Sequence, residues 1–77
     1  MITFDQWIKI QMKLYKITIE DLKIYCNVSR VSASKWVNGH NLPSVPAWHA
    51  IAALLSDRSG DPIPLILSEM SDTIPLP

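Results

Sequence analysis

The sequence predicts a compact all-α domain of four to five short helices, followed by a proline-rich C-terminal tail. Apolar residues recur at helical spacing in successive segments, and residues that favour helix N-termini precede these segments. No segment shows a convincing alternation of apolar and polar residues, which is the pattern of a strand. With 77 residues, the chain has room for a single hydrophobic core.

The first helix is predicted over residues 4–15. Thr3 and Gln6 form a capping-box pattern, in which each residue satisfies an unpaired N–H group of the other at the helix start. The apolar residues that recur near a helical period are Phe4, Trp7, Ile8, Ile10, Leu14 and Tyr15.

The second helix is predicted over residues 19–26. Thr18 is a favourable N-cap, and Glu20 and Asp21 place negative charge in the first turn, where it suits the helix dipole. The apolar side comprises Leu22, Tyr25 and Cys26. Asn27 is expected to end the helix, because asparagine tolerates the left-handed conformation that stops a helix.

The third helix is predicted over residues 30–38, only a short turn after the second. Ser29 is its N-cap and Gly39 its end. One side carries Ala33, Trp36 and Val37, and the other carries Arg30, Ser34, Lys35 and Asn38. The turn after Gly39 contains Pro43, which cannot continue a helix.

A fourth helix is expected to have Pro46 in its first turn. Its broad apolar face comprises Trp48, Ile51, Ala52, Leu54 and Leu55. Residues 56–60 are predicted to form a loop, and Asp61 and Pro62 a cap and first position for a short fifth helix that runs to about Met70. The alternating prolines after that cannot continue as helix.

The net charge is zero, but the two parts of the chain differ in sign. Residues 1–55 carry six basic and three acidic side chains, whereas residues 56–77 carry one basic and four acidic ones. The basic part is where a polyanion would bind, and the acidic part indicates a separate role. We therefore divide the chain into a domain of residues 1–55 and a C-terminal segment of residues 56–77.

Composition disfavours membrane and secreted proteins. The longest apolar run, residues 50–55, is far shorter than the roughly 20 residues that a membrane span needs. Asp5 lies within what would be the leader of a secretory signal. Cys26 is the single cysteine, which excludes an internal disulfide and a zinc site built from a cysteine cluster. We expect a cytoplasmic protein without a metal.

Catalysis is also disfavoured. The chain has only two glycines, Gly39 and Gly60, and so no glycine-rich phosphate loop. His40 falls in a turn and His49 on a helix, and their spacing supports no catalytic triad. We expect no enzyme, no catalytic residues, no cofactor and no small-molecule substrate.

The second and third helices follow the helix-turn-helix plan, in which the first helix of the pair presents the second to the DNA major groove. The ordered signals are Thr18 and Leu22, the turn Asn27-Val28-Ser29, then Trp36, Gly39 and Pro43, and the apolar run of residues 50–55. Over residues 4–55, this set resembles the Cro/repressor-type (XRE-like) family of helix-turn-helix DNA-binding proteins.

The resemblance implies which residues touch DNA. The base-contacting positions are Ser29, Arg30, Val31, Ser34 and Lys35. The phosphate-contacting positions are Asn38, Asn41 and the helix start at Thr18. The side chains suit these roles: Arg30 can pair with guanine, Val31 can meet a thymine methyl group, and Lys35 can reach guanine or the backbone.

The C-terminal segment is rich in apolar residues, and helix-turn-helix proteins of this kind bind DNA as twofold dimers. We expect a homodimer contact formed by Ile63, Ile66, Leu67 and Met70. The alternative is that these residues complete the core of the monomer. Residues 74–77 are expected to lie over the interface or to fray.

The resemblance implies a sequence-specific double-stranded DNA-binding transcriptional regulator, namely a small phage, plasmid or bacterial repressor. It would bind a palindromic operator in the cytoplasm as a homodimer, and a regulatory protein partner could control it. The alternative is a protein-interaction module of the same fold, antitoxin-like, with weak or no DNA binding. Zero net charge favours this alternative, as do Ile19 and Lys23, which replace the glutamine and the small residue usual in the family.

Overall fold

A computed structural model of the chain describes residues 2–73, and these residues form an all-α domain, as predicted. The prediction that residues 74–77 lie over the interface or fray concerns residues outside the described part. Five helices follow one another along the chain: α1 Phe4–Tyr15, α2 Ile19–Cys26, α3 Arg30–Val37, α4 Val45–Ser59 and α5 Ile63–Ser71.

The first three helices begin where their capping residues predicted. At α1, the backbone N–H of Thr3 donates to Oε1 of Gln6 at 3.1 Å. At α2, the backbone N–H of Asp21 donates to Oγ1 of Thr18 at 3.1 Å. At α3, Oγ of Ser29 accepts from the backbone N–H of Ser32 at 3.1 Å. Side-chain oxygens thus satisfy N–H groups that have no partner inside the helix.

The turn between α2 and α3 is only three residues long. Asn27 has the left-handed conformation that was predicted for it, with φ 54°. The N–H of Val28 then donates to the carbonyl of Lys23 at 3.1 Å, which closes the end of α2. Val28 packs partly against the core, and Ser29 begins the next helix.

The predicted loop over residues 56–60 is wrong, because α4 continues through Ser59 and ends only at Gly60. No residue between Ser56 and Ser59 is a helix breaker, and the apolar pattern stops only because this last turn meets solvent on one side. Gly60 has φ 82°, and its N–H donates to the carbonyl of Ser56 at 2.9 Å. The boundary that we placed after residue 55, between the domain and the C-terminal segment, therefore lies inside α4.

The predicted cap of α5 is also wrong, because Pro62 and not Asp61 precedes the first helical residue, Ile63. An aspartate at position 61 would cap the helix by accepting from the N–H of residue 63 or 64, and Pro64 has none. The N–H of Asp61 instead donates to Oγ of Ser59 at 3.1 Å.

One core joins all five helices, with α4 packed against α1, α2 and α5. Its buried members are Phe4, Trp7, Ile8, Ile17, Leu22, Ala33, Trp36, Val37, Ala47, Ile51, Ala52, Leu54, Leu55, Ile66 and Met70. Trp48 is half-buried and stacks on Phe4, with ring centroids 5.1 Å apart. The predicted apolar faces of α3 and α4 are therefore largely confirmed.

Three residues that were placed on apolar faces are exposed: Ile10, Leu14 and Tyr25. Ile10 and Leu14 lie one turn apart on α1 and are 47% and 64% exposed. The core is filled without them, because α1 contacts only α3 and α4 closely.

The expected dimer contact is corrected for two of its four residues. Ile66 and Met70 are only 3% and 0% exposed and belong to the core of the chain itself. Leu67 packs partly against the same core, while Ile63 remains 40% exposed. The alternative interpretation, that this segment completes the monomer core, is correct for Ile66 and Met70, because α5 folds back onto α4.

Candidate nucleic-acid interface

Helix α3 divides its side chains sharply between core and solvent. Ala33, Trp36 and Val37 are buried and fix the helix against the rest of the domain. The opposite side carries residues of the predicted base-contacting set. Of these, Arg30 has a side chain that is 69% exposed, and Val31 is 65% exposed. The core therefore holds α3 by one face and leaves the other free for a ligand.

An open groove of about 340 Å³ lies along this free face. It is lined by Arg30, Val31, Ser34, Lys35, Asn38 and His40. Four of the five predicted base-contacting residues and one of the three predicted phosphate-contacting residues thus share one surface. Two of the lining side chains are cationic, none is acidic, and one is an exposed aliphatic group.

Ser34 and Asn38 are already arranged by each other. Nδ2 of Asn38 donates to the carbonyl of Ser34 at 2.9 Å and to its Oγ at 3.1 Å. Because the Ser34 hydroxyl accepts here, its proton is free to donate to an acceptor in the groove. The pair therefore offers an oriented hydroxyl donor in the groove.

Ser29 is outside the groove lining and caps α3. Its Oγ accepts from the backbone N–H of Ser32 and donates to Oγ of Ser32, each at 3.1 Å. Ser29 is therefore a capping residue of α3, and its oxygen keeps a second lone pair. Its contact with a base stays a prediction.

Asn41 also lies outside the groove lining, in the exposed turn after α3. Its backbone N–H donates to the carbonyl of Lys35 at 3.4 Å, and the N–H of His40 donates to the same carbonyl at 2.9 Å. These bonds fold the turn back onto the end of α3. His40 lines the groove as a result, although its position in a turn gave no sequence signal for this.

The backbone N–H and the hydroxyl of Thr18 both take part in the cap at the start of α2. Its N–H donates to Oδ2 of Asp21 at 2.9 Å, while its hydroxyl accepts from the Asp21 N–H. The hydroxyl only accepts in this capping box, so its proton is not used there. The phosphate contact at Thr18 stays a prediction.

The Asp21 carboxylate is stabilised as an anion. The backbone N–H of Thr18 holds the pKa of Asp21 below its ordinary value, and the Thr18 hydroxyl and the Arg58 guanidinium act in the same direction. Nη2 of Arg58 lies 3.8 Å from Oδ1 of Asp21. This contact joins the start of α2 to the last turn of α4.

Glu20 is a feature beside the groove that sequence analysis treated only as a helix-start charge. Its Oε1 lies 3.2 Å from Nζ of Lys23, and its Oε2 lies 3.2 Å from Nη1 of Arg30. The carboxylate therefore links α2 to α3. Lys23 turns back along α2 towards Glu20, and Ile19 packs partly against the core.

Other chemistries find less support in the described part of the chain. Sγ of the half-buried Cys26 lies 4.0 Å from the carbonyl oxygen of Ala47, and burial raises the pKa of the thiol above its ordinary value. Among residues 2–73, no three His, Cys, Asp or Glu side chains come together as a metal site. No helix in the same range has the length and apolar character to cross a bilayer.

Comparisons with protein-family models, curated proteins and solved structures found no match to this chain. The free face of α3 and its groove are therefore the basis for a functional proposal.

Proposed function

We propose that the chain is a sequence-specific double-stranded DNA-binding transcriptional regulator that inserts α3 into the major groove. The observation that carries the proposal is the exposed face of α3, where Arg30, Val31, Ser34 and Lys35 line one groove. The core uses the opposite face of the helix, so these side chains are not needed to hold the fold together. Their resemblance to a helix-turn-helix reading surface adds support.

The size of α3 suits the major groove. Its eight residues give a helix about 12 Å long at 1.5 Å per residue. A helix with side chains is about 10–12 Å across, and the major groove is about 12 Å wide. The three-residue turn before α3 and the exposed turn after it keep both ends accessible.

The side chains divide between base and backbone roles. Arg30 can donate two parallel hydrogen bonds to guanine, a contact worth about 1–3 kcal/mol of discrimination, and Val31 can meet a thymine methyl group. Ser34 can donate its free hydroxyl proton, and Lys35 can reach guanine or phosphate. Asn41, in the turn that follows, remains a phosphate-contacting candidate.

We further propose that the protein binds a palindromic operator as a homodimer and acts as a repressor by occlusion. The described residues span 28 × 28 × 23 Å, a size comparable with the roughly 34 Å that separates half-sites one DNA turn apart. Ile63, which is 40% exposed at the start of α5, is the member of the predicted interface set that remains available for this contact. The cytoplasm, and a phage, plasmid or bacterial origin, follow from the resemblance alone.

Selection of bound duplexes from a random DNA library, at low and at moderate salt, tests the proposal. The wild-type chain is expected to enrich a palindrome with half-sites about one turn apart. The R30A/K35A double variant should fold but enrich no motif. A K9A/K13A variant removes the same charge from exposed positions on α1 and should still enrich the motif.

The second candidate is a protein-interaction module. It is favoured by the exposed aliphatic side chains of Ile10 and Leu14, which lie one turn apart on α1, and of Ile24 on α2. Salt separates the two functions, because a complex that neutralises several phosphates weakens steeply with salt, whereas an apolar protein contact barely changes. A folded wild-type chain that enriches no duplex at either salt concentration would favour the protein-interaction module.

A further inference from the structure

Glu20 joins two cations at the edge of the groove on α3. Its carboxylate accepts from Nζ of Lys23 through one oxygen and from Nη1 of Arg30 through the other, both at 3.2 Å. All three side chains remain well exposed, with fractions of 42% for Lys23, 69% for Arg30 and 48% for Glu20. Exposed pairs of this kind contribute little to folding, so stability alone does not account for the arrangement.

We propose that Glu20 is a positioning residue that sets the specificity of the DNA-binding face. It holds Arg30 where the guanidinium can contact base edges, and it keeps Arg30 and Lys23 from binding phosphates indiscriminately. This inference rests on the proposed function, because it assigns Glu20 a role in the same interface.

Arg30 can contact DNA while its guanidinium is bonded to Glu20. A guanidinium has five N–H donors, and Glu20 uses one of them, on Nη1. The remaining donors stay available for a bidentate contact with guanine, and the side chain is already partly immobilised. Because the bond to Glu20 runs from α3 to α2, it directs the guanidinium relative to both helices of the pair.

The charge of Glu20 acts against nonspecific binding. A carboxylate beside the groove repels the phosphate backbone, and it neutralises part of the positive charge that would attract any duplex. A glutamine at this position would keep the size and a hydrogen-bond acceptor but would lose the charge. Lys23 and Arg30 would then be free to contact phosphates.

The experiment compares the wild-type chain, Glu20→Gln and a matched control, Glu69→Gln. Glu69 is an exposed residue of α5, so its replacement makes the same chemical change away from α3. Fluorescence anisotropy would give the affinity of each protein for the duplex selected by the wild type and for a scrambled duplex of equal length. Each titration would be repeated across a salt series, and thermal unfolding would confirm an unchanged fold.

For Glu20→Gln we expect tighter binding to the scrambled duplex and a steeper salt dependence, by up to about 1.8 in the log–log slope if two more phosphates are neutralised. The ratio of affinities for the selected and scrambled duplexes should fall by about tenfold, which is within the discrimination expected of one arginine–guanine contact. Glu69→Gln should leave that ratio unchanged.

A second comparison tests whether Glu20 acts through Arg30. In an R30A background, Glu20→Gln should no longer change the ratio of affinities, although nonspecific binding should still rise through Lys23. If the ratio falls equally with and without Arg30, the positioning role is wrong. The wild-type chain could select a motif while Glu20→Gln leaves the ratio of affinities unchanged. Glu20 would then only form ordinary surface ion pairs, and the proposal would be wrong. A wild type that selects no motif would overturn the proposed function itself.

Discussion

Thr18 and Asp21 cap helix α2 reciprocally. The backbone N–H of Thr18 donates to Oδ2 of Asp21 at 2.9 Å, and the backbone N–H of Asp21 donates to Oγ1 of Thr18 at 3.1 Å. Arg58, from the last turn of α4, lies 3.8 Å from the other oxygen of the same carboxylate. One aspartate therefore starts α2 and ties it to α4.

This arrangement predicts a pH dependence of stability. The pKa of Asp21 is lowered in the folded chain, so its carboxylate stabilises the fold above the pKa of the unfolded chain, about 3.9, and this contribution is lost as the pH falls through the folded value. Urea unfolding from neutral to acidic pH should show Asp21→Asn less stable than wild type at pH 7. The difference should narrow under acid. A difference that stays constant with pH would contradict the prediction.

Gly39 cannot be replaced without loss of stability. Its φ is +78°, and a Cβ atom there would lie 3.2 Å from Cγ and Oδ2 of Asp5. Gly60 has a similar φ of +82° but open space around it. Gly60→Ala should cost about 1–2 kcal/mol for the left-handed backbone alone, and Gly39→Ala should cost more. Urea unfolding checks this, and Asp5→Ala should remove the excess.

Helix α5 carries both core residues and a residue proposed for the dimer interface. Ile66→Ala or Met70→Ala should destabilise the chain by about 2–5 kcal/mol, because each opens a cavity in the core. Ile63→Ala should leave the monomer nearly as stable and weaken only self-association. Unfolding curves at two protein concentrations, together with sedimentation, distinguish these effects. Equal destabilisation by Ile63→Ala would place that residue in the core as well.

Val31 offers the simplest test of base contact. Its side chain is exposed, so Val31→Ala should leave thermal unfolding unchanged. In the duplex selection, the preference for thymine at one position of each half-site should weaken, because the contact with its methyl group is lost. A motif that stays identical in the variant would show that Val31 does not meet a base.

Local signals in the sequence predicted most of the helix boundaries. Thr18, Asn27 and Ser29 start or stop a helix through their own side chains or backbone, and the structure has them in these roles. The end of α4 was missed because the apolar pattern stops at Leu55, whereas the backbone stays helical until Gly60. Exposure of Tyr25 was missed because which face of a short helix is covered depends on its neighbours.

The candidate site was predictable where it lies on one helix. Arg30, Val31, Ser34 and Lys35 share the free face of α3 because of helical spacing, and the groove along that face includes all four. His40 joins the groove through hydrogen bonds that fold the following turn back onto α3, and Glu20 reaches Arg30 from another helix. Such contacts depend on packing between elements that a single sequence does not reveal.

The connection between α4 and α5 bears on the spacing of DNA half-sites that a dimer would accept. Helix α4 runs without a break to Ser59, only residues 60–62 connect it to α5, and the buried Ile66 and Met70 fix α5 against the core. A dimer formed through α5 would therefore hold its two α3 helices at a fixed distance from each other. One extra base pair between the half-sites, about 3.4 Å, would then put the second α3 out of register with its groove.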